Sequence, residues 1–92
     1  TKVVDIIEEL KDFGVNVDVY DPWVDYTEES KWYKHGIIEN PLKVNKKYDA
    51  IVVAVGHKQF KAYSETDYKM LSDGIQIVID VKNIIDSPTW RL

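Results

Sequence analysis

Apolar positions along the chain change their spacing several times, and each change marks an element. In "KVVDIIEELKDF" (2–13), Val3, Ile6, Ile7 and Leu10 recur at helical spacing, and Glu8, Glu9, Lys11 and Asp12 fall mostly on the other face. Gly14 follows where a helix C-terminus favours a left-handed residue. The period then drops to two. Val15, Val17 and Val19 alternate with Asn16, Asp18 and Tyr20, the pattern of a half-buried strand. Asp21-Pro22 ends it, because proline offers a ladder no donor and restricts the residue before it. Asp25 and Glu28 have capping-box spacing and predict a short helix through about residue 34, stopped by Gly36. "IIEN" is at most a short strand before Pro41, and "LKVNKKY" is turn-like.

Residues 49–55, "DAIVVAV", are almost wholly apolar, as expected of a strand covered on both faces. Helices follow around 57–63 and 65–72, the second with Ser64 as N-cap. Gly74 leads into the strand "IQIVID", and "SPTWRL" (87–92) reads as an ending rather than an element. Such alternation predicts an α/β fold, a three-layer Rossmann-like domain whose mainly parallel sheet is joined by right-handed crossovers. Doubly wound domains usually open on a strand, whereas this chain opens on a helix. The sheet is therefore expected to lack its first strand.

Ninety-two residues suit one domain, 1–92, though a chain this short has little surface to bury. Composition narrows the function. No apolar run approaches the ~20 residues of a membrane span, and no signal-peptide pattern is present, so no membrane partner and a cytoplasmic location are expected. The absence of cysteine excludes disulfides and a thiol nucleophile. Twelve basic against sixteen acidic residues, a net charge of −4, argue against nucleic acid as a partner. A single nucleotide remains possible, since one phosphate needs only local donors.

In open parallel sheets ligands bind beyond the carboxyl ends of the strands. Three predicted strands end in polar residues: Asp21-Pro22, then Gly56-His57-Lys58, then Asp80-Val81-Lys82-Asn83. Parallel strands would bring all three to one edge. Asp21 could accept a ribose hydroxyl, or simply make an Asp-Pro turn. Gly56 would let a ligand approach the backbone, and a helix beginning at 57 would aim free N–H groups at an anion. A tight strand-to-helix turn explains that glycine equally well. Lys82 is a point charge suited to phosphate, although a lysine after a strand can simply face water. His57 has the titration range of a general base, but no nucleophile or orienting group accompanies it, so no catalytic residue is assigned. His35 is too isolated for a metal, and none is expected. Trp23, Tyr26, Trp32 and Tyr33 could stack on a base, cover the sheet or meet another subunit. Lys43, Lys46 and Lys47 fit a solvated loop. There is no GxGxxG and no P-loop.

Taken together, "TKVVDIIEELKDFGVNVDVYDPWVD", "YDAIVVAVGHKQF" and "IVIDVKNI" resemble the C-terminal domain of the UDP-glucose/GDP-mannose dehydrogenase family over nearly the whole chain. The His-Lys form of the second segment is nearer to enzymes oxidising UDP-N-acetylhexosamines than to those for UDP-glucose. The resemblance implies a larger enzyme: a Rossmann domain binding NAD, a central domain with the catalytic cysteine and the dimer contact, and this domain closing over the UDP-sugar. That enzyme would oxidise the sugar's C6 alcohol to a carboxylate, reducing two NAD⁺. A basic residue just after the last strand's Asp touches substrate in the family. Here that position is Lys82, where the UDP-glucose enzymes commonly carry arginine. The family's Phe-Lys and Asp-x-Arg segment would stand just before Thr1. Lacking it, the cysteine and the NAD fingerprint, the 92 residues are expected to be an inactive fragment, bound to the enzyme's remaining domains and homo-oligomeric.

The expected ligand contacts are therefore Lys82, Asn83, Gly56, His57, Lys58 and Asp21, with a UDP-sugar as partner. An alternative is an interaction or oligomerisation module with no ligand site of its own. A receiver-like regulator would need an acidic cluster, for which only Asp21 and Asp80 offer themselves.

Overall fold

A computed structural model describes residues 2–85 and 88–91. The chain forms two compact units, residues 1–40 and 41–92. Each has its own internal contacts.

The first unit opens on helix α1 (Lys2–Asp12), with Ile7 buried. Its end is the predicted one. Gly14 at φ +82° lets its N–H reach Lys11 O (2.9 Å) while Val15 N–H reaches Leu10 O (3.1 Å), the paired bonds of a Schellman ending. The predicted strand 15–19 is reduced to one parallel bridge, Val19 to Ile37. Val19 N–H donates to Gly36 O (2.9 Å) and Val19 O accepts from Ile38 N–H (2.8 Å). Ile37 is likewise the single rung left of the predicted "IIEN" strand. A helix over 25–34 does not form either. Asp25 Oδ1 accepts the N–H of Thr27 (3.0 Å) and Ser30 Oγ that of Trp32 (3.1 Å), so these side chains bond two residues ahead and hold turns instead. Only a 3₁₀ turn survives, Tyr33–His35, stopped by Gly36 at φ +87°.

The second unit holds a three-stranded sheet of β1 (Ile51–Val53), β2 (Val78–Asp80) and β3 (Trp90–Arg91), in that order and all parallel. This is the expected α/β arrangement. Helices α2 (Lys58–Lys61) and α3 (Glu65–Met70) join β1 to β2. Ser64 caps α3 as predicted, within a full capping box: its Oγ accepts from Asp67 N–H (3.2 Å) and Asp67 Oδ2 from Ser64 N–H (2.8 Å).

Register decides the faces. Val53, Val78 and Asp80 are buried, and Val53 and Val78 form a core with Tyr68 of α3, to which Phe60, Tyr63, Ile84 and Ile85 add. Val52, Ile79 and Trp90 are register neighbours on the opposite face. There Val52 is 39 % and Trp90 52 % exposed, so β1 is not covered on both faces as its apolar run suggested. The tail also departs from expectation. Within 87–92, Trp90 and Arg91 pair with β2, while Ser87 and Leu92 lie outside the described residues. Thr89 fastens that pairing: its N–H donates to Val78 O (2.8 Å), and its Oγ1 accepts from Val78 N–H (2.9 Å) while donating to Gln76 O (3.2 Å).

Candidate functional site

Two of the three predicted strand ends meet. The carboxyl ends of β1 and β2 are adjacent, and Val81 N–H donates to Val53 O (3.0 Å), tying the chain after β2 to the last residue of β1. Beyond them stand two exposed turns. The first carries Gly56, His57 and Lys58, the second Lys82 and Asn83. They touch through Ile84, whose Cγ2 lies 3.8 Å from where a Cβ on Gly56 would sit.

Gly56 has no positive φ, and that 3.8 Å is ordinary van der Waals contact. Neither backbone conformation nor packing requires glycine there. The tight-turn explanation is therefore weaker than the sequence suggested. His57 is the extended residue before α2, half-buried, with its ring edge-on to Phe60 at 5.5 Å, and its carbonyl accepts from Phe60 N–H (3.0 Å) and Lys61 N–H (3.3 Å). The helix expected at 57 starts at Lys58 and has four residues. So few aligned peptides add little dipole, which removes the expected anion site at its N-terminus.

The second turn is built on a buried acid. Asp80 is fully buried, and its Oδ2 accepts the N–H groups of Ile84 and Ile85, both at 2.8 Å. Asn83 takes the left-handed conformation, φ +58°, that a turn this tight needs and that asparagine tolerates. Nearby, burial pushes the Tyr68 phenol up to about 12, with Tyr63, Asp80 and Asp67 adding negative potential. Its hydroxyl donates to Phe60 O (3.1 Å), so it serves the core rather than the surface.

Asp21 does not join this group through sheet pairing, because residues 15–19 are no strand of the sheet. Its Oδ1 accepts Trp23 N–H (2.9 Å) and its carbonyl accepts Val24 N–H (3.1 Å), the bonds of its own turn. The aromatics near it are split: Trp23, Tyr26 and Tyr33 are exposed, while half-buried Trp32 meets the His35 ring edge-on at 5.7 Å. Trp32, Tyr33 and His35, with Val4, line an open pocket of about 510 Å³ in the first unit. Among the described residues no three His, Asp or Glu side chains gather as a metal site would require. No described helix is long and apolar enough to cross a membrane.

Residues 1–87 match the family model of the UDP-glucose/GDP-mannose dehydrogenase family, UDP binding domain. The chain belongs to that family. It is 36 % identical over 85 residues to a UDP-N-acetyl-D-glucosamine 6-dehydrogenase of Salmonella typhi, covering 92 % of this chain. To the enzyme of the same name from Pseudomonas aeruginosa it is 35 % identical over 86 residues, covering 94 % of this chain. With Protein CapL of Staphylococcus aureus the identity is 40 % over 99 residues and the whole chain is covered. The chain spans about a fifth of the length of these family relatives, 20 % for the first two and 23 % for CapL. No solved structure matches it.

Proposed function

We propose that this family member is the nucleotide-binding lobe of a UDP-sugar 6-dehydrogenase, and that the paired turns beyond β1 and β2 receive the UDP portion of the substrate. The observation that carries this reading is the junction of Gly56 and Lys82–Asn83 turns at adjacent parallel strand ends, in a chain matching the family's UDP binding domain. A UDP-N-acetylhexosamine is the favoured sugar nucleotide, after the activity that two relatives are named for.

Each group has a task. The Lys82 ammonium balances diphosphate charge. Gly56, bare of a Cβ its own fold would tolerate, lets a phosphate or ribose lie against the backbone. Asn83, His57 and Lys58 supply polar side chains around them. Asp21 stands outside this reading, because its carboxylate is engaged in its own turn.

The chemistry of the proposed enzyme is oxidation of a C6 alcohol to a carboxylate with two NAD⁺ reduced. The residues present do not fit NAD. Glycines 14, 36, 56 and 74 are scattered singly along the chain, so no glycine cluster opens a strand-to-helix turn to a pyrophosphate. Nor does any cysteine offer a nucleophile. Substrate holding is the task left to these residues, and oxidation falls to other parts of the proposed enzyme.

Amide NMR titration of the chain with UDP tests the site. Shifts are expected at 56–58 and 82–83, and Lys82→Ala should weaken binding by about 1–3 kcal/mol, the loss of one charge-assisted hydrogen bond. Silence at both turns would refute the reading, and unchanged affinity would take Lys82 out of it. A second reading, an assembly module, draws on the row of exposed Val52, half-buried Ile79 and exposed Trp90. Sedimentation of the chain and of Trp90→Ser separates the two: a monomer that binds UDP dismisses the module.

A further inference from the structure

Asp80 holds a position that alternation reserves for an apolar side chain. It shares a sheet face with Val53 and Val78, in the core that Tyr68 closes, and it is fully buried. A carboxylate there is costly, and an apolar residue of similar size would serve packing alone at least as well. Its hydrogen bonds show where the carboxylate is used. Oδ2 takes the N–H groups of Ile84 and Ile85, both beyond the turn, and Oδ1 is buried with no hydrogen-bond partner among the described residues. Both bonds thus serve the same five-residue stretch after β2. They pull residues 84 and 85 inward over the strand end. Ile84 is thereby set against Gly56, and the intervening Lys82 and Asn83 are left exposed, with Asn83 at φ +58° completing the reversal.

We propose that Asp80 is a positioning residue of the nucleotide site: its buried carboxylate fixes the turn that presents Lys82 and Asn83 beside Gly56. This rests on the UDP-site reading above. Asp80 touches no ligand itself. It acts through the backbone, by making one conformation of residues 81–85 prevail before ligand arrives, so that binding does not have to order the turn.

Asp80→Leu and Asp80→Asn test the idea together. Leucine fills the core and removes the acceptor, whereas asparagine keeps one carbonyl oxygen for the two N–H groups. Three readouts are taken on the 92-residue chain: the thermal midpoint, hydrogen exchange of the Ile84 and Ile85 amides without ligand, and the Kd for UDP. In Asp80→Leu we expect a midpoint at or above that of the parent chain, faster exchange at both amides and UDP binding weaker by about tenfold, the equivalent of one net hydrogen bond. Asp80→Asn should recover most of both losses, which a purely structural role would not produce. If Asp80→Leu keeps slow exchange and full affinity, the proposal is overturned.

Should Asp80→Leu not fold, Asn83→Val and Asn83→Gly carry the test with the core untouched. Valine resists the left-handed conformation and glycine accepts it. Both remove the asparagine side chain, so only the turn's conformation separates them. Weaker UDP binding and faster Ile84 and Ile85 exchange in Asn83→Val than in Asn83→Gly support the positioned turn, and equal values overturn it. If the parent chain itself ignores UDP, the site reading fails, while ligand-free exchange in Asp80→Leu still decides whether Asp80 sets the turn.

Discussion

Replacing Gly36 with alanine should be far more damaging than the same change at Gly14, although both glycines have positive φ and both lie in the first unit. At Gly14, φ +82°, an added Cβ meets nothing within 4 Å. The penalty is then left-handed strain alone, about 1–2 kcal/mol. At Gly36, φ +87°, the same atom would stand 2.7 Å from the carbonyl oxygen of Val17, a backbone atom that cannot swing away. Chain separation must follow, and the two bonds that make the Val19–Ile37 bridge lie within two residues of the clash. Losing both adds about 2 kcal/mol at a net 1 kcal/mol each. The expected total is about 3–4 kcal/mol for Gly36→Ala against about 1–2 for Gly14→Ala. Urea unfolding, followed by the fluorescence of Trp23 and Trp32 and by exchange of the Val19 and Ile38 amides, measures both. Equal destabilisation, with the bridge amides still protected in Gly36→Ala, would refute the reasoning.

The remaining expectations concern the second unit. Ser64→Ala removes one half of the α3 capping box and should cost about 1 kcal/mol in urea unfolding, with Ser64→Gly milder. Val78 is wholly buried, so Val78→Ala should lower stability by about 2 kcal/mol from two lost methyl groups and the hole they leave. Tyr68 should resist ionisation. Its folded pKa, raised to about 12, exceeds the usual 10, so the unfolded chain loses that proton first; the stabilisation is intact below pH 10 and drains away as pH rises to 12. Tyr68→Phe should remove the last step of the phenolate absorbance titration and flatten stability across that window.

Elements with a strong period were legible. Helix α1 and its Gly14 ending, the Ser64 cap of α3 and the second half, 78–80, of the strand expected over 75–80 all follow from spacing and one or two marker residues. Residues 25–34 were misread because Asp25 and Ser30 can satisfy backbone N–H groups two residues ahead as readily as they cap a helix. Alternation at 15–19 was real, but a strand exists only where a partner runs alongside, and Gly36 to Ile38 give Val19 one rung. Two residues of β3 carry no period at all. At the site, parallel pairing correctly joined the Gly56 and Lys82 turns. The signal for a buried Asp80 lies in the alternation: two residues after Val78, it points inward with it.

The connection from β2 to β3 spans only residues 81–89, shorter than the dozen or so a parallel crossover usually takes. The stretch that carries Lys82 and Asn83 therefore leads directly to the outermost strand. Thr89 fastens that strand, beside two register pairs among the described residues. On the proposed reading, UDP that bound only chains with β3 paired would, at a hundredfold its Kd, add about 2.7 kcal/mol to that pairing. On the same reading, loosening Thr89 would weaken UDP binding in return. Trp90, half out in solvent on that strand, would then make the edge its own optical gauge of UDP at the proposed site.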